Sequence, residues 1–199
     1  RYSKLSLPAK NLLLLEFHGT EAGTREQAEM VQALAAENGG GDFAWTSQAE
    51  ERSKMWQGRH DAAWAAKAAK PGWGMWATDV CVPISNLAEC ILETQKDVVA
   101  NGLYAPIVGH VGDGNFHLTM MVNPDDPTYL KRAEGLNDRM IARAQNLGGT
   151  CTGEHGVGIG KIKYLYKEHG EAMSLMRSIK KALDPDNIMN PGKIMGPIN

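Results

Sequence analysis

Apolar positions fall into a few short, regular patterns along the chain. Leu12 to Leu15 is a continuous apolar run with polar flanks, the pattern of a buried strand. From Arg25 to Asn38, Ala28, Val31, Leu34 and Ala35 form one stripe at helical spacing, closed by Gly39-Gly40-Gly41. Asp42 to Ser47 reads as a further short strand. Gln48 to Lys70, rich in alanine and ended by Pro71-Gly72, reads as one helix or two. Met75 to Val82 predicts a strand. The helix after it turns Leu87, Cys90, Ile91, Thr94 and Val98 inward and stops at Asn101-Gly102. Ala105 to Val122 reads as two strands about a glycine turn. Thr128 to Leu147 reads as a long helix with the stripe Leu130, Ala133, Leu136, Met140, Ala144 and Leu147. A glycine-rich loop, Thr152 to Gly160, precedes a last helix, Glu171 to Leu183, with Ala172, Leu175, Met176, Ile179 and Leu183 on one face.

Strands alternating with single helices, with one hairpin, predict an α+β fold: a mixed or antiparallel sheet carrying helices on one face. Residues 151–199 read as a separate C-terminal loop and helical lobe beyond a main domain of residues 1–150. The 199 residues carry 21 Lys+Arg against 23 Asp+Glu, a net charge of −2, which gives no electrostatic case for nucleic acid. The longest apolar run, Leu12 to Leu15, is far too short to span a bilayer. Cys81, Cys90 and Cys151 are odd in number and widely spaced, which argues against a disulfide framework or a cysteine-based zinc site and for a reducing compartment.

The chemistry concentrates in Gly109-His110-Val111-Gly112-Asp113-Gly114-Asn115-Phe116-His117. Asp-Gly between two strand-like runs is a strong hairpin signal. With Asp113-Gly114 as the two turn residues, His110 and His117 become a directly opposed cross-strand pair, with Cβ atoms about 4.5–5.5 Å apart. Two imidazoles so placed can share a divalent ion. Without an ion they are two unrelated surface histidines. Gly153-Glu154-His155-Gly156 supplies a third ligand candidate, Glu154, with His155 beside it as a general base. Two histidines and a carboxylate leave positions open for substrate, and zinc, manganese and iron(II) all suit them. The loop is neither a Walker P-loop nor a clean GxGxxG. Arg59, in an alanine-rich helix, offers a planar charged fork for a substrate carboxylate; on composition alone it is a surface arginine. His18, His169, Lys161 and Lys163 read as solvated surface, and the tryptophans as core.

Taken together, Gly109-His-Val-Gly-Asp-Gly-Asn-Phe-His117, Gly153-Glu-His-Gly156, Leu183-Asp-Pro and Met189-Asn-Pro-Gly-Lys193 resemble the FAD-linked oxidase C-terminal domain. This is the carboxy-terminal half of the D-lactate dehydrogenase (cytochrome), glycolate oxidase and D-2-hydroxyglutarate dehydrogenase family. The resemblance covers essentially the whole chain, and Asp79-Val-Cys-Val-Pro83 is most similar to the D-lactate dehydrogenase branch. It implies a ferredoxin-like substrate domain followed by a short helical segment that returns to a flavin domain. It implies that FAD is bound mainly by an N-terminal domain that nothing here resembles, so this chain by itself neither holds FAD tightly nor turns over. Carried over residue by residue, it places a divalent metal, zinc or manganese, on His110, His117 and Glu154. It makes His155 the catalytic histidine, Arg59 the carboxylate-binding arginine and Asn190 a neighbour of the flavin.

Ala77 and Thr119 stand where the hydroxyglutarate branch has a lysine and an asparagine, so a smaller monocarboxylate is expected. The resulting expectation is oxidation of a D-2-hydroxy acid to the 2-oxo acid. The partners are the acid, the flavin domain and an unspecified electron acceptor, without nucleic acid; pairing of sheet edges in a homo-oligomer is left open. Bacterial members of the family are cytoplasmic or peripheral to the inner membrane, and eukaryotic ones mitochondrial. Two other classes stay open: a flavin-independent metal-dependent hydrolase or oxygenase, and a non-catalytic small-acid-binding module.

Overall fold

A run such as Asn115–Val122, with no face given over to charge, is stable only with a ladder on each edge and cover on each face. The computed structural model, which describes residues 10–41 and 43–196, shows that arrangement. In chain order the elements are α1 (Glu21–Glu37), α2 (Ala49–His60), α3 (Ala62–Ala69), β1 (Gly74–Ala77), β2 (Val80–Cys81), α4 (Ile84–Ala100), β3 (Ile107–His110), a 3-10 turn (Val111–Asp113), β4 (Asn115–Val122), α5 (Tyr129–Asn146), α6 (Ile162–His169) and α7 (Ala172–Leu183). This is the α+β class that the pattern predicts.

β4 is the central strand, and all its ladders are antiparallel. β3 runs along one edge, pairing Ile107 with Leu118 and His110 with Asn115. β1 and β2 follow one another along the other edge, pairing Ala77 with Thr119 and Val80 with Phe116. The register is the same on both sides of Thr78-Asp79, so the two short strands are one strand interrupted. At the interruption Thr78 Oγ1, not a carbonyl, accepts the Leu118 N–H at 2.9 Å.

The even positions of β4, Phe116, Leu118 and Met120, share one core with Leu87 and Cys90 of α4 and with Ala133, Leu136, Met140, Ile141 and Ala144 of α5. Alternation along a strand then turns the odd positions, Asn115, His117 and Thr119, to the other side of the sheet. Leu165 of α6 and Met173 of α7 belong to the same core.

Packing divides the chain into two compact units, residues 1–68 and 69–199. Contacts therefore break at 68/69 and not at 150, because Cys151, Leu165 and Met173 pack into the core that the sheet builds. Within the first unit α1 is capped by Thr20, whose Oγ1 accepts the Gly23 N–H at 3.2 Å. The strand expected at Leu12–Glu16 does not form, and Leu12, Leu13 and Leu15 are exposed. Residues 43–47 are also without strand structure, and Asp42 lies outside the described residues. A strand exists only by pairing, and among the described residues these two segments have no ladder. In α7 the expected stripe points the wrong way: Met173 is buried and Met176 partly so, while Leu175, Ile179 and Leu183 are exposed. Helix α6 falls in a stretch left unassigned by the sequence pattern. Among the described residues no helix is long and apolar enough to cross a membrane.

Asp97 ties α4 to α5. Arg139 donates to it from Nε at 2.9 Å and Nη2 at 2.7 Å, and Arg143 from Nη2 at 3.4 Å. Burial raises the pKa of this carboxyl, but the bonds and charge of Arg139, then those of Arg143, outweigh it and hold the group below the ordinary carboxylate range. The folded state thus binds fewer protons than the unfolded one, so Asp97 stabilises above the unfolded value near 4 and loses that contribution as pH falls through the folded value. Asp97→Asn is expected to cost about 1–3 kcal/mol at neutral pH. In urea titrations across pH the gap to the parent should close below about pH 4; a gap independent of pH would show that the charge is not what matters.

Candidate metal and substrate site

The odd face of β4 carries the chemistry. His117 is 7% exposed, and its Nδ1 lies 3.0 Å from the Thr78 carbonyl. A carbonyl only accepts, so Nδ1 carries the ring proton and Nε2 is left with a lone pair. That Nε2 is buried without a hydrogen-bond partner. It lies 2.6 Å from Glu154 Oε1, out of line for a hydrogen bond. In the neutral ring that lone pair and the carboxylate oxygen repel one another, and a cation beside both atoms relieves the repulsion. His155 stacks on His117, with ring centroids 4.6 Å apart and planes 7° from parallel, and its Nε2 lies 3.5 Å from the same Glu154 oxygen.

Asp79 sits across from His117 in the β1–β4 register and is 1% exposed. Its Oδ1 accepts from Asn115 Nδ2 at 2.8 Å. Its Oδ2 accepts from Thr152 Oγ1 at 2.7 Å and from the backbone N–H groups of Gly153, Glu154 and His155 at 2.8, 3.1 and 2.9 Å. Lys161 Nζ lies 3.3 Å from Oδ2. The loop thus wraps the carboxylate as a backbone nest wraps an anion. Burial would raise the pKa of Asp79; the His155 N–H, the Thr152 hydroxyl, the Asn115 amide and the Lys161 charge outweigh it and hold the group well below the ordinary carboxylate range.

Among the described residues, Asp79, His117 and His155 bring ligand atoms within 4.8 Å of one another. Asp79 is largely committed to donors: Oδ1 accepts from Asn115, and Oδ2 from the Thr152 hydroxyl and three backbone N–H groups. His117 Nε2 and the Glu154 carboxylate offer lone pairs that fit a divalent ion, with His155 Nε2 beside them. The nitrogen is orphaned, its tautomer is fixed by an outer hydrogen bond as metal-bound histidines require, and the donors are N and O without thiolate. Glu154 and His155 are 46% and 43% exposed, so one side is open to a small ligand.

Of the residues singled out by the sequence, the structure brings together His117, Glu154 and His155. His110 does not oppose His117 as expected: Val108 does, and His110 pairs with Asn115 at the exposed end of β3. Four residues, Val111 to Gly114, link the strands instead of two, because Val111–Asp113 closes a 3-10 turn and Gly114 takes a left-handed φ of +74°. A Cβ there would lie 2.0 Å from the Val82 carbonyl, so only glycine fits. The slip is two positions, which keeps His110 on the same face of the sheet as His117. Arg59 lies part-buried on α2 in the first unit. Asn190 is exposed in the turn after α7, with a left-handed φ of +48°.

Asp79 and Asn115 were not foreseen as site residues; the signal was an acid inside an otherwise apolar strand pattern. Lys161, expected in a solvated face, is only 17% exposed because it turns in to Asp79, whereas Lys163 is exposed and pairs with Asp138. Trp76 packs against the core, but Trp45 and Trp64 are exposed.

Residues 2–194 match the family model described as FAD linked oxidases, C-terminal domain. The chain is 48% identical to D-lactate dehydrogenase [cytochrome], mitochondrial, of Arabidopsis thaliana, over 93% of this chain and 33% of that protein. It is 45% identical to the probable D-lactate dehydrogenase, mitochondrial, of Danio rerio, over 98% of this chain and 39% of that one. It is 33% identical to the glycolate oxidase subunit GlcD of Bacillus subtilis, over 97% and 41%. The chain thus spans between 33% and 41% of these relatives. Among solved structures, a 4-ethylphenol oxidase from Gulosibacter chungangensis in its isoeugenol complex shares the fold, with a TM-score of 0.60 at 17% identity, over 90% of this chain and 38% of that one.

The packing of the loop gives a direct test. A Cβ on Gly153 would stand 2.2 Å from Asn115 Nδ2 and 3.1 Å from Asp79 Oδ1. Asn115 cannot swing aside without leaving Asp79 and the Val80 carbonyl. Gly153→Ala is expected to cost about 1–3 kcal/mol, typical of overpacking. Amide exchange at 153–155 should accelerate while α5 is unchanged; unaltered exchange in the loop would contradict the packing described.

Proposed function

We propose that this chain, which belongs to the family of FAD linked oxidases, C-terminal domain, is the substrate- and metal-binding part of a flavoprotein that oxidises a D-2-hydroxy acid of the D-lactate type to the 2-oxo acid. The observation that carries this reading is the approach of His117 Nε2 to Glu154 Oε1 at 2.6 Å beside His155. Two lone-pair atoms converge there next to a base, at an edge open to a small acid.

His117 and Glu154 hold the divalent ion, zinc or manganese, and His110 completes the set from the same face of the sheet. When bound, such an ion supplies Lewis acidity that lowers the pKa of a coordinated hydroxyl. Thr78 keeps the ring proton of His117 on Nδ1, so that Nε2 stays a donor to the ion. His155 Nε2 takes the hydroxyl proton, its ring held flat against that of His117. The guanidinium of Arg59 takes the substrate carboxylate, on the chemistry of its planar fork alone. FAD, bound by an N-terminal part of the whole protein, supplies the acceptor for the Cα hydride. Asn190, in the turn with Pro191 and Gly192, would be a residue that neighbours the flavin.

The preference for a small monocarboxylate has a structural support. Ala77 and Thr119 are cross-strand partners, and Thr119 shares a sheet face with His117. The two positions that lack a lysine and an asparagine therefore form one patch, not two scattered changes.

The test uses the whole flavoprotein. His117→Ala should lose the zinc or manganese found in the parent by elemental analysis, and so should His110→Ala. Metal content unchanged in the His110 variant would remove it from the ligand set. His155→Ala should keep the metal and slow flavin reduction by D-lactate about 10²–10⁴-fold in stopped flow. Reduction at the parental rate would end the role of His155 as the base.

A further inference from the structure

Three consecutive residues grip both halves of the site. The Thr78 carbonyl takes the Nδ1 proton of His117 at 3.0 Å. The Asp79 carboxylate takes the Thr152 hydroxyl and the N–H groups of Gly153, Glu154 and His155. The Val80 carbonyl and Asp79 Oδ1 share the amide of Asn115, at 3.0 and 2.8 Å. This is the stretch where the ladder between β1 and β2 lapses, so its backbone and side chains are turned from sheet pairing to holding side groups. Nothing else described bonds the amides of residues 153 to 155. Without Asp79, three donors in a row would lose their acceptor, and a loop that contains Gly153 and Gly156 would have no reason to keep this shape.

We propose that Asp79 is the positioning residue of the site: its carboxylate fixes the backbone of residues 152–155 and so sets Glu154 and His155 against His117. The proposal rests on the reading above that His117 and Glu154 hold a divalent cation. Asp79 itself is not a ligand. It acts as an internal anion around which the ligand-bearing loop folds, and Lys161, at the entry to α6, closes the far side of the nest. The arrangement is economical in sequence terms: one acid in a strand orders a loop more than 70 residues later.

The test compares Asp79→Asn, Thr152→Val and Thr152→Ser in the whole flavoprotein, with Mn²⁺ alone as the probe. Asp79→Asn should bind Mn²⁺ about 10–100-fold more weakly than the parent, the range for loss of an outer partner of a metal ligand. Exchange protection at 153–155 should be lost with it, while the amides of α5 keep theirs. Thr152→Val should weaken Mn²⁺ binding by a smaller factor, and Thr152→Ser, which keeps the hydroxyl, should restore it. These two variants carry the test if Asp79→Asn does not fold. Parental Mn²⁺ affinity in Asp79→Asn, or in Thr152→Val with the serine variant no different, overturns the proposal and leaves the metal reading standing. A parent that binds no Mn²⁺ or Zn²⁺ overturns the metal reading, and the proposal with it.

Discussion

A carboxylate cannot be buried without donors, and most of what is distinctive in this protein follows from how Asp79 is supplied with them. At 1% exposure it has no solvent to rely on. Its charge is met by a hydroxyl, three backbone N–H groups, an amide and an ammonium, drawn from three separate stretches of chain. Hydrogen bonds to a charged acceptor are worth about twice those between neutral groups, and leaving such an acceptor unsatisfied costs more still. The loop that follows Cys151 is therefore pinned where a glycine-rich segment would otherwise sample many shapes. Glu154 and His155 come to His117 as a by-product of satisfying Asp79.

The second constraint is the division of labour on β4. Its even positions build the core with α4 and α5, and its odd positions carry Asn115, His117 and Thr119. A register slip of one residue would exchange the two faces, putting imidazole into the apolar core and Phe116 and Leu118 against the polar groups around Asp79. The hydrophobic penalty for that is large, so the core itself enforces the register on which the site depends. This also explains why the hairpin could take four linking residues instead of two and still leave His110 and His117 on one face. A two-residue slip preserves parity, and only parity is policed by the core.

The family membership and the geometry bear on different parts of the reading. Membership places the chain among FAD linked oxidases, and the relatives named for D-lactate and glycolate, of which it spans 33–41%, are what the proposed substrate class draws on. The geometry supplies what a family description does not contain: an imidazole nitrogen with no partner, a carboxylate aimed at it, and an outer carbonyl that fixes the tautomer. Ala77 and Thr119, cross-strand partners, occupy one location on the sheet.

The amphipathic pattern of α4, that of α5 apart from the exposed Leu130, and the strand character of β1, β3 and β4 were legible from residue order, since periodicity records which side of an element meets the core; in α1 only Ala28 of the expected stripe is buried and Leu34 is exposed. So was Gly114 as a turn residue, and the three residues His117, Glu154 and His155, singled out by type, do lie together. The Leu12–Leu15 run and the face of α7 were misjudged for a common reason: apolar spacing says that a surface is sticky, not what covers it. Asp79, Asn115 and Lys161 went unseen as a group because a hydrogen-bond network joins residues far apart in the chain, and no local pattern encodes it. Residue order thus determined the elements, their periods and the candidate chemistry. Which histidine faces which residue, and which acid is wrapped by the loop and which stays half-exposed beside His117, was decided by tertiary structure alone, because those depend on register and on where each buried charge finds its donors.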